Sequence, residues 1–382
     1  MVAEPERRRV VHVHVGAPKT GTTQVQDLLY ANRDVLREHG LLIPGSHRYA
    51  PFHATVDLLN ISWGGVGDIA RGSLDAMMTE IAGWPGDVVL SNENLSLAVD
   101  KRVRQIRAAL PDHDLRVVYS ARDFVRQVPA AWQERIRHAY TDDFGTFVRR
   151  LREEPHEMNA RRFWRCQTWP DVLERWTRCL ETPTATLVTV PPAGTDPDVL
   201  LGRFLDAFEV DPAWLPERGA ARRNPGLDPV QTALLHTLQG ELQRRGTTGA
   251  VRREALQGAM IRRWWARNPG TGRVALPERD RAWADDVTAR WLARVREMDL
   301  HVVGDLADLE PAAGSHGDAV DPDTVGADAM LELAVRTLAD ALEEHQALTV
   351  ERDQLRADAG RPDTGGARER VERLYRRARR QA

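Results

Sequence analysis

The sequence predicts an α/β fold: a P-loop-like parallel sheet flanked by helices, with a helical C-terminal extension. Short Val-rich apolar runs are typical of parallel strands that are buried on both faces. Segments with apolar residues at helical spacing separate these runs. Such alternation predicts a doubly wound sheet whose ligand site lies at the carboxyl ends of the strands. The apolar runs are Val10–Val15, Val88–Asn92, Leu115–Ser120, Ala185–Val190 and His301–Gly304.

Segments whose apolar residues recur at helical spacing alternate with these runs and continue beyond residue 193. Asp228-Pro229 opens one late helix, predicted over Val230–Arg245, because Asp caps helices well and Pro fits the first turn. The last apolar run, His301–Gly304, is expected to return one edge strand to the sheet. The earlier predicted helices are Thr22–Arg37, Arg71–Ile81, Lys101–Leu110, Arg122–Ala139 and Phe163–Cys179.

Four segments are predicted along the chain. Residues 1–310 form the α/β domain, and residues 311–325, rich in Ala, Gly, Asp and Pro, form a flexible linker. Residues 326–359 form an amphipathic helix, and residues 360–382 form an Arg-rich flexible tail. The helix carries one apolar stripe, which could dock on the parent domain or pair with a second copy in a homo-oligomer. The stripe consists of Leu331, Val335, Leu338 and Leu342.

Composition excludes several classes of partner. The 382 residues carry a net charge of −3, which argues against nucleic acid as the main partner. No run reaches the roughly 18 apolar residues of a membrane span. Neither a secretory apolar segment nor a disulfide framework is expected, since the first residues are charged and only Cys166 and Cys179 are present. We therefore predict a cytoplasmic protein.

The first apolar run leads into a loop of phosphate-binding size. Gly16 and Gly21 bracket this loop, and a helix follows it. A loop that opens a helix presents free N–H groups and the positive end of the helix dipole to an anion. In a nucleoside-triphosphate loop a lysine directly follows the second glycine. Here Thr22 takes that place, and Lys19 lies inside the loop.

The segment Pro18–Thr23, PKTGTT, resembles the 5′-phosphosulfate loop of sulfotransferases that use 3′-phosphoadenosine 5′-phosphosulfate (PAPS). By this resemblance Lys19 protonates or neutralises the bridging oxygen as the sulfuryl group leaves. The resemblance also implies that the 5′-phosphate is held by Thr20, Gly21, Thr22 and Thr23. No metal is expected, because lysine, arginine and backbone amides supply the positive charge. Lys19 is one of only two lysines, beside Lys101, in a chain rich in arginine.

A second candidate anion site follows the third apolar run. Arg122 stands between a predicted strand and a predicted helix, where a guanidinium suits bidentate capture of a phosphate. In the family, an arginine at such a strand end and a serine eight positions later hold the 3′-phosphate of PAPS. Arg122 matches the arginine, but Ala130 replaces the serine, and Gln127 is a candidate to compensate.

Transfer of a sulfuryl group also needs a base for the acceptor hydroxyl. Glu93 directly follows an apolar run, so we expect it at the carboxyl end of a strand. Several carbohydrate and tyrosine sulfotransferases use a glutamate, whereas cytosolic ones use a histidine, for which His53 is the candidate here. The predicted acceptor is a hydroxyl of a carbohydrate, lipid or small molecule. The alternatives are an ATP-dependent P-loop kinase and a non-catalytic scaffold with a sulfotransferase fold.

Overall fold

The computed structural model of the chain describes residues 8–182, 185–216, 226–249, 252, 254–265, 270–311 and 319–359. Within these residues the chain forms one six-stranded parallel sheet and one two-stranded sheet. All five apolar runs are strands of the large sheet, so the predicted α/β class is confirmed. The strands are β1 (Val10–His14), β2 (Leu41–Leu42), β3 (Asp87–Ser91), β4 (Asp114–Ala121), β5 (Ala185–Thr189), β6 (Arg273–Val274), β7 (Leu300–Val303) and β8 (Ala319–Val320).

The large sheet has the order β2-β3-β1-β4-β5-β7, and β6 pairs with β8 outside it. β1 lies between β3 and β4, with Val11 opposite both Val88 and Leu115. After β1 the chain builds β2 and β3 on one side, and it then crosses to β4 on the other side. The loops that follow β1 and β4 therefore diverge at a topological switch point, where open α/β sheets bind ligands.

Helices cover both faces of this sheet. The structure divides two of the predicted helices. Thr22–Arg37 is interrupted at Asn32, whose side-chain amide donates to the carbonyl of Leu28 at 2.9 Å. The helix predicted over Phe163–Cys179 is interrupted at Thr168, whose backbone is extended, and Pro170 stands in the first turn of the helix that follows, where a proline is tolerated. The helices are α1 (Thr22–Ala31), α2 (Arg33–Glu38), α3 (Ala50–Leu59), α4 (Val66–Ala70), α5 (Ser73–Gly83), α6 (Asp100–Ala109), α7 (Phe124–Arg137), α8 (Phe144–Glu153), α9 (Met158–Gln167), α10 (Trp169–Leu180), α11 (Pro197–Ala207), α12 (Pro229–Arg244), α13 (Arg281–Arg296) and α14 (Ala327–Ala359), with a π-helical segment at Glu254–Trp265.

Alternate residues of the strands pack into two separate apolar clusters. Val11 and Val13 of β1 join the larger cluster, which includes most of the buried tryptophans. His12 and His14 face the other side of the sheet, where His14 packs edge-on against Phe204. Because every residue of β1 is buried, this strand is a rigid base for the loop that follows it. The two cysteines, Cys166 and Cys179, are buried free thiols, as core packing predicts.

The C-terminal helix α14 docks on α12 and on the π-helical segment. Trp265 donates its indole N–H to the hydroxyl of Thr337 at 2.9 Å, and Trp264 donates to Glu344 at 2.7 Å. The predicted apolar stripe does not take part in this docking, because Leu331, Val335, Leu338 and Leu342 are each about 60% exposed. Pairing of the stripe with a second copy stays a prediction. Within the described residues, no helix combines the length and the apolar character that crossing a bilayer requires.

The described part of the predicted linker is held by specific contacts. Both carboxylate oxygens of Asp323 accept from the first N–H groups of α8, those of Phe144 and Gly145, at 3.1 and 2.7 Å. Asp321 pairs with Arg279 at 3.2 Å. Residues 319–325 are therefore anchored to the α/β domain. Residues 312–318 of the linker and the Arg-rich tail, residues 360–382, lie outside the described residues.

Candidate functional site

The loop between β1 and α1 is fastened to the end of β4. Gly16 and Gly21 have positive φ angles of 128° and 84°, which glycine adopts at little cost. Ala17 donates its N–H to the carbonyl of Ser120 at 2.8 Å, and the Ser120 hydroxyl donates to the carbonyl of Gly16 at 2.7 Å. The conformation of the loop is thus set by the neighbouring strand as well as by its own glycines.

The four loop residues predicted to hold the 5′-phosphate differ in what they can offer. Thr20 is buried, and its hydroxyl donates to the carbonyl of Ala17 at 2.6 Å, so this side chain braces the loop. Within the described residues, the N–H groups of Gly21 and Thr22 have no hydrogen-bond partner. Lys19, Gly21, Thr22 and Thr23 all line a cavity of about 2440 Å³. The start of α1 therefore offers backbone donors and the positive end of its dipole to an anion in this cavity.

The ammonium of Lys19 is held at the cavity by a carboxylate. Its Nζ lies 3.1 Å from Oε2 of Glu134, on the last turns of α7. The other carboxylate oxygen, Oε1, lies 3.1 Å from Nε2 of His138. Burial would raise the pKa of Glu134, but the hydrogen bond from His138 and the charges of Lys19 and Arg137 hold that pKa well below its usual value. Glu134 therefore remains an anion that orients Lys19.

Arg122 reaches the same loop from the end of β4. Its Nη1 donates to the carbonyl of Lys19 at 3.4 Å, and its Nε is buried with no partner within the described residues. Burial and the nearby charge of Arg126 lower the pKa of Arg122 to about 10, which leaves it protonated at neutral pH. The structure thus brings Arg122 and Lys19 together, although Arg122 does not belong to the described lining of the cavity.

The suggestion that Gln127 replaces the missing serine at Ala130 is not supported. Gln127 is buried, and its amide nitrogen donates to the carbonyl of Pro18 at 2.7 Å and to Gln167 at 2.9 Å. Its N–H groups are therefore used to support the loop. The polar residue one turn beyond Ala130 on the same helical face is Glu134, which binds Lys19.

The structure separates the two candidate bases. Glu93 opens a 3₁₀ turn directly after β3, and its carboxylate accepts from the amide of Gln26 at 3.0 Å. Glu93 lines the same cavity as Lys19, and a Cβ on Gly16 would lie only 2.9 Å from the carbonyl of Glu93. His53 lies on α3 against His47 and is not among the described residues that line the cavity. The geometry thus joins Glu93, and not His53, to the Lys19 loop.

A buried hydrogen-bond chain connects the Glu93 side of the site to the loop. His14 lies at its centre, with Nδ1 2.7 Å from the hydroxyl of Ser91 and Nε2 3.5 Å from that of Ser120. Gln26 donates both to Ser91 and to Glu93. The Ser120 hydroxyl in turn donates to the carbonyl of Gly16 in the loop. Sequence reasoning placed His14 in the sheet but could not identify these partners, because they come from strands that lie far apart in the chain.

We expect the folded protein to lose stability in acid because of the two buried histidines of β1, His12 and His14. Burial lowers the pKa of His14 to about 3 and that of His12 to about 4. The unfolded chain binds these protons near pH 6.5, whereas the folded chain does not, so stability is full above pH 6.5 and falls as the pH drops toward 4. We expect each histidine to remove up to about 1.4 kcal/mol per pH unit over this range. Urea unfolding at pH 7.5, 6 and 5 measures the effect.

A His12→Phe variant is the control for this prediction. It removes one of the two titrating groups and keeps an aromatic ring against Phe208. The decrease in unfolding free energy between pH 6 and pH 5 should therefore be smaller in the variant. An identical pH dependence in the two proteins would contradict the prediction.

Comparisons with known proteins add little to this geometry. No family model matches the chain, and no curated protein matches it either. Among solved structures, a sulfotransferase from Alicyclobacillus acidocaldarius is 17% identical, with a TM-score of 0.39, over 66% of this chain and 96% of that one. The sulfotransferase domain from the curacin biosynthetic pathway is 10% identical, with a TM-score of 0.31, over 75% of this chain and 98% of that one. Similarities this weak support no statement about the function of this chain.

Proposed function

We propose that this protein transfers a sulfuryl group from PAPS to a hydroxyl of a carbohydrate, lipid or small-molecule acceptor. The observation that carries the proposal is the position of Lys19. Its ammonium stands inside a loop that opens α1, beside free backbone N–H groups, and it faces the cavity that Glu93 also lines. Sulfuryl transfer from a phosphosulfate needs a cation at the leaving oxygen, donors for the phosphate and a base for the acceptor, and Lys19, the start of α1 and Glu93 can fill these roles.

The donor would lie along the start of α1. The N–H groups of Gly21 and Thr22 would bind its 5′-phosphate, and the helix dipole would favour the negative charge. Arg122 is the residue we assign to the 3′-phosphate. Its buried Nε lacks a partner within the described residues, and its Nη1 already contacts the loop. Ala130 supplies no hydroxyl for this phosphate.

The reaction would be an in-line displacement at sulfur. Glu93 would accept the proton of the acceptor hydroxyl while the new O–S bond forms. As the bond between sulfur and the bridging oxygen breaks, negative charge builds up on that oxygen. Lys19 would neutralise or protonate it, with Glu134 orienting the ammonium through the 3.1 Å ion pair. The products are the sulfated acceptor and 3′-phosphoadenosine 5′-phosphate (PAP).

Two other functions differ from this one in the ligand that they require. A P-loop kinase would bind ATP with Mg²⁺ and place a lysine directly after Gly21, where this chain has Thr22. A non-catalytic scaffold would bind neither nucleotide. The absence of a serine at position 130 is the feature that favours the scaffold.

Isothermal titration calorimetry of the full chain tests the proposal. We expect PAP to bind in the presence of EDTA, and Arg122→Met to weaken this binding by roughly 10-fold or more, since a charged hydrogen bond is lost. Binding of ATP only with Mg²⁺ would favour the kinase instead. If neither nucleotide binds to folded protein, the catalytic proposal fails and the scaffold remains.

A further inference from the structure

One part of the cavity wall carries two arginines that have no acidic partner among the residues that the structure describes. Arg135 lies on the last turns of α7 and Arg162 on α9, and both line the cavity. The guanidinium of Arg162 lies over the ring of Trp63, with 4.6 Å between Cζ and the ring centroid. That of Arg135 lies 5.5 Å from the ring centroid of Tyr140. Stacking on a ring fixes the plane of a guanidinium and so fixes the directions of the N–H groups along its edge.

The acidic residues that line the cavity are already engaged elsewhere. Within the described lining these are Asp27, Glu93 and Glu134. Arg48 pairs with Asp27, Gln26 donates to Glu93, and both Lys19 and His138 bind Glu134. None of these contacts involves the two stacked arginines. Six basic side chains line the same cavity as these three carboxylates: Lys19, Arg48, Arg135, Arg137, Arg162 and Arg262.

The two arginines place two positive charges near each other. Arg135 donates to the carbonyl of Asn159 at 2.5 Å, but its Nη1 has no partner within the described residues. Burial lowers the pKa of Arg135, and the positive charge of Arg162 lowers it further. Arg162 itself makes no ion pair within the described residues and is exposed at the cavity. An anion placed between the two would relieve the repulsion and complete their hydrogen bonds.

Resting on the proposed function, we propose that the acceptor is acidic, and that Arg135 and Arg162 bind its carboxylate, sulfate or phosphate group. α9 packs against the 3₁₀ turn that Glu93 opens. The anionic group would therefore be held on the Glu93 side of the cavity, where the acceptor hydroxyl must lie. The groups assigned to the donor lie at the start of α1 and at the end of β4. The cavity volume of about 2440 Å³ exceeds the roughly 300–1000 Å³ of a typical single-ligand pocket and leaves room for both molecules.

Matched pairs of acids and neutral analogues test this inference by direct binding. The probes are glucuronic acid with glucuronamide, 4-hydroxyphenylacetic acid with its amide, and glycerol 3-phosphate with glycerol. Ligand-observed NMR titrations of the full chain, with and without saturating PAP, give the affinities. We expect at least one acid to bind roughly 10-fold or more tightly than its neutral partner, and Arg162→Met to remove this preference. The affinity for PAP should not change in this variant.

The matched control is Arg161→Met, on the same helix but outside the described lining of this cavity. It should keep the preference for the acid. The inference is overturned if no acid is preferred over its neutral partner, or if Arg162→Met weakens PAP and leaves acid binding unchanged, since the arginine would then serve the donor. Failure of PAP to bind would defeat the proposed function alone, because the acids are also measured without PAP.

Discussion

Replacing Lys19 with alanine should lower the rate of sulfuryl transfer by roughly 10²–10³-fold or more, the usual cost of removing one preorganised group that stabilises developing charge. The fold should survive, because the Lys19 side chain is about one third exposed. Its φ of 71° costs alanine no more backbone strain than lysine, since both residues have a Cβ. The measurement is single-turnover transfer from PAPS under saturating acceptor, together with the thermal unfolding midpoint.

Two further variants sharpen this test. Lys101→Ala removes the only other lysine, which is exposed on α6, and should leave the rate unchanged. Lys19→Arg restores a positive charge that does not give up its proton. Partial recovery in Lys19→Arg would assign the role to charge, and no recovery would assign it to proton donation or to the fit of the ammonium. Near-normal turnover by Lys19→Ala would defeat the proposed mechanism.

Replacing Glu93 with glutamine should lower kcat by roughly 10²–10⁴-fold, the range expected for loss of a general base. Glutamine keeps the size of the side chain and can still accept the hydrogen bond from Gln26 through its carbonyl oxygen. The buried chain through Ser91 and His14 should therefore stay in place. We expect the affinity for PAP to change little, because the groups assigned to the donor lie at the start of α1 and at Arg122. The measurement is kcat, with PAP affinity determined by calorimetry.

His53→Gln is the matched comparison for the base. His53 lies on α3, packs against His47 and is not part of the described lining of the cavity. Its replacement should therefore change kcat less than about threefold. A large loss in His53→Gln beside a small one in Glu93→Gln would exchange the two assignments.

The strands of the large sheet were predictable because each long one is a run of apolar, largely β-branched residues. β2 escaped prediction, since Leu41–Leu42 is too short to show a period. The pairing of Arg273–Val274 with Ala319–Val320 was also invisible, because it joins two segments more than forty residues apart through a single pair of short strands. The breaks at Asn32 and at Thr168 depend on local side-chain and backbone geometry that an apolar period does not contain.

The site was predictable to the extent that its residues directly follow strands. Lys19 and Glu93 do so, and parallel strands bring their carboxyl ends to one edge of the sheet. Glu134 and His138 could not be predicted, since their place at Lys19 depends on how α7 packs across the loop. The proposed compensation by Gln127 failed for a related reason. Helical spacing puts this residue near the loop, but only the packed structure shows that its amide faces inward, toward Pro18.

His14 and its partners have a consequence for how such a protein could diversify. The cation follows β1, the carboxylate follows β3, and the buried hydroxyl of Ser120 belongs to β4, so three adjacent strands about 4.8 Å apart set their separation. The segments around Trp63 and Arg162 belong to none of these strands. Evolution could therefore exchange the walls that would select the proposed acceptor while the spacing of these three groups stayed the same.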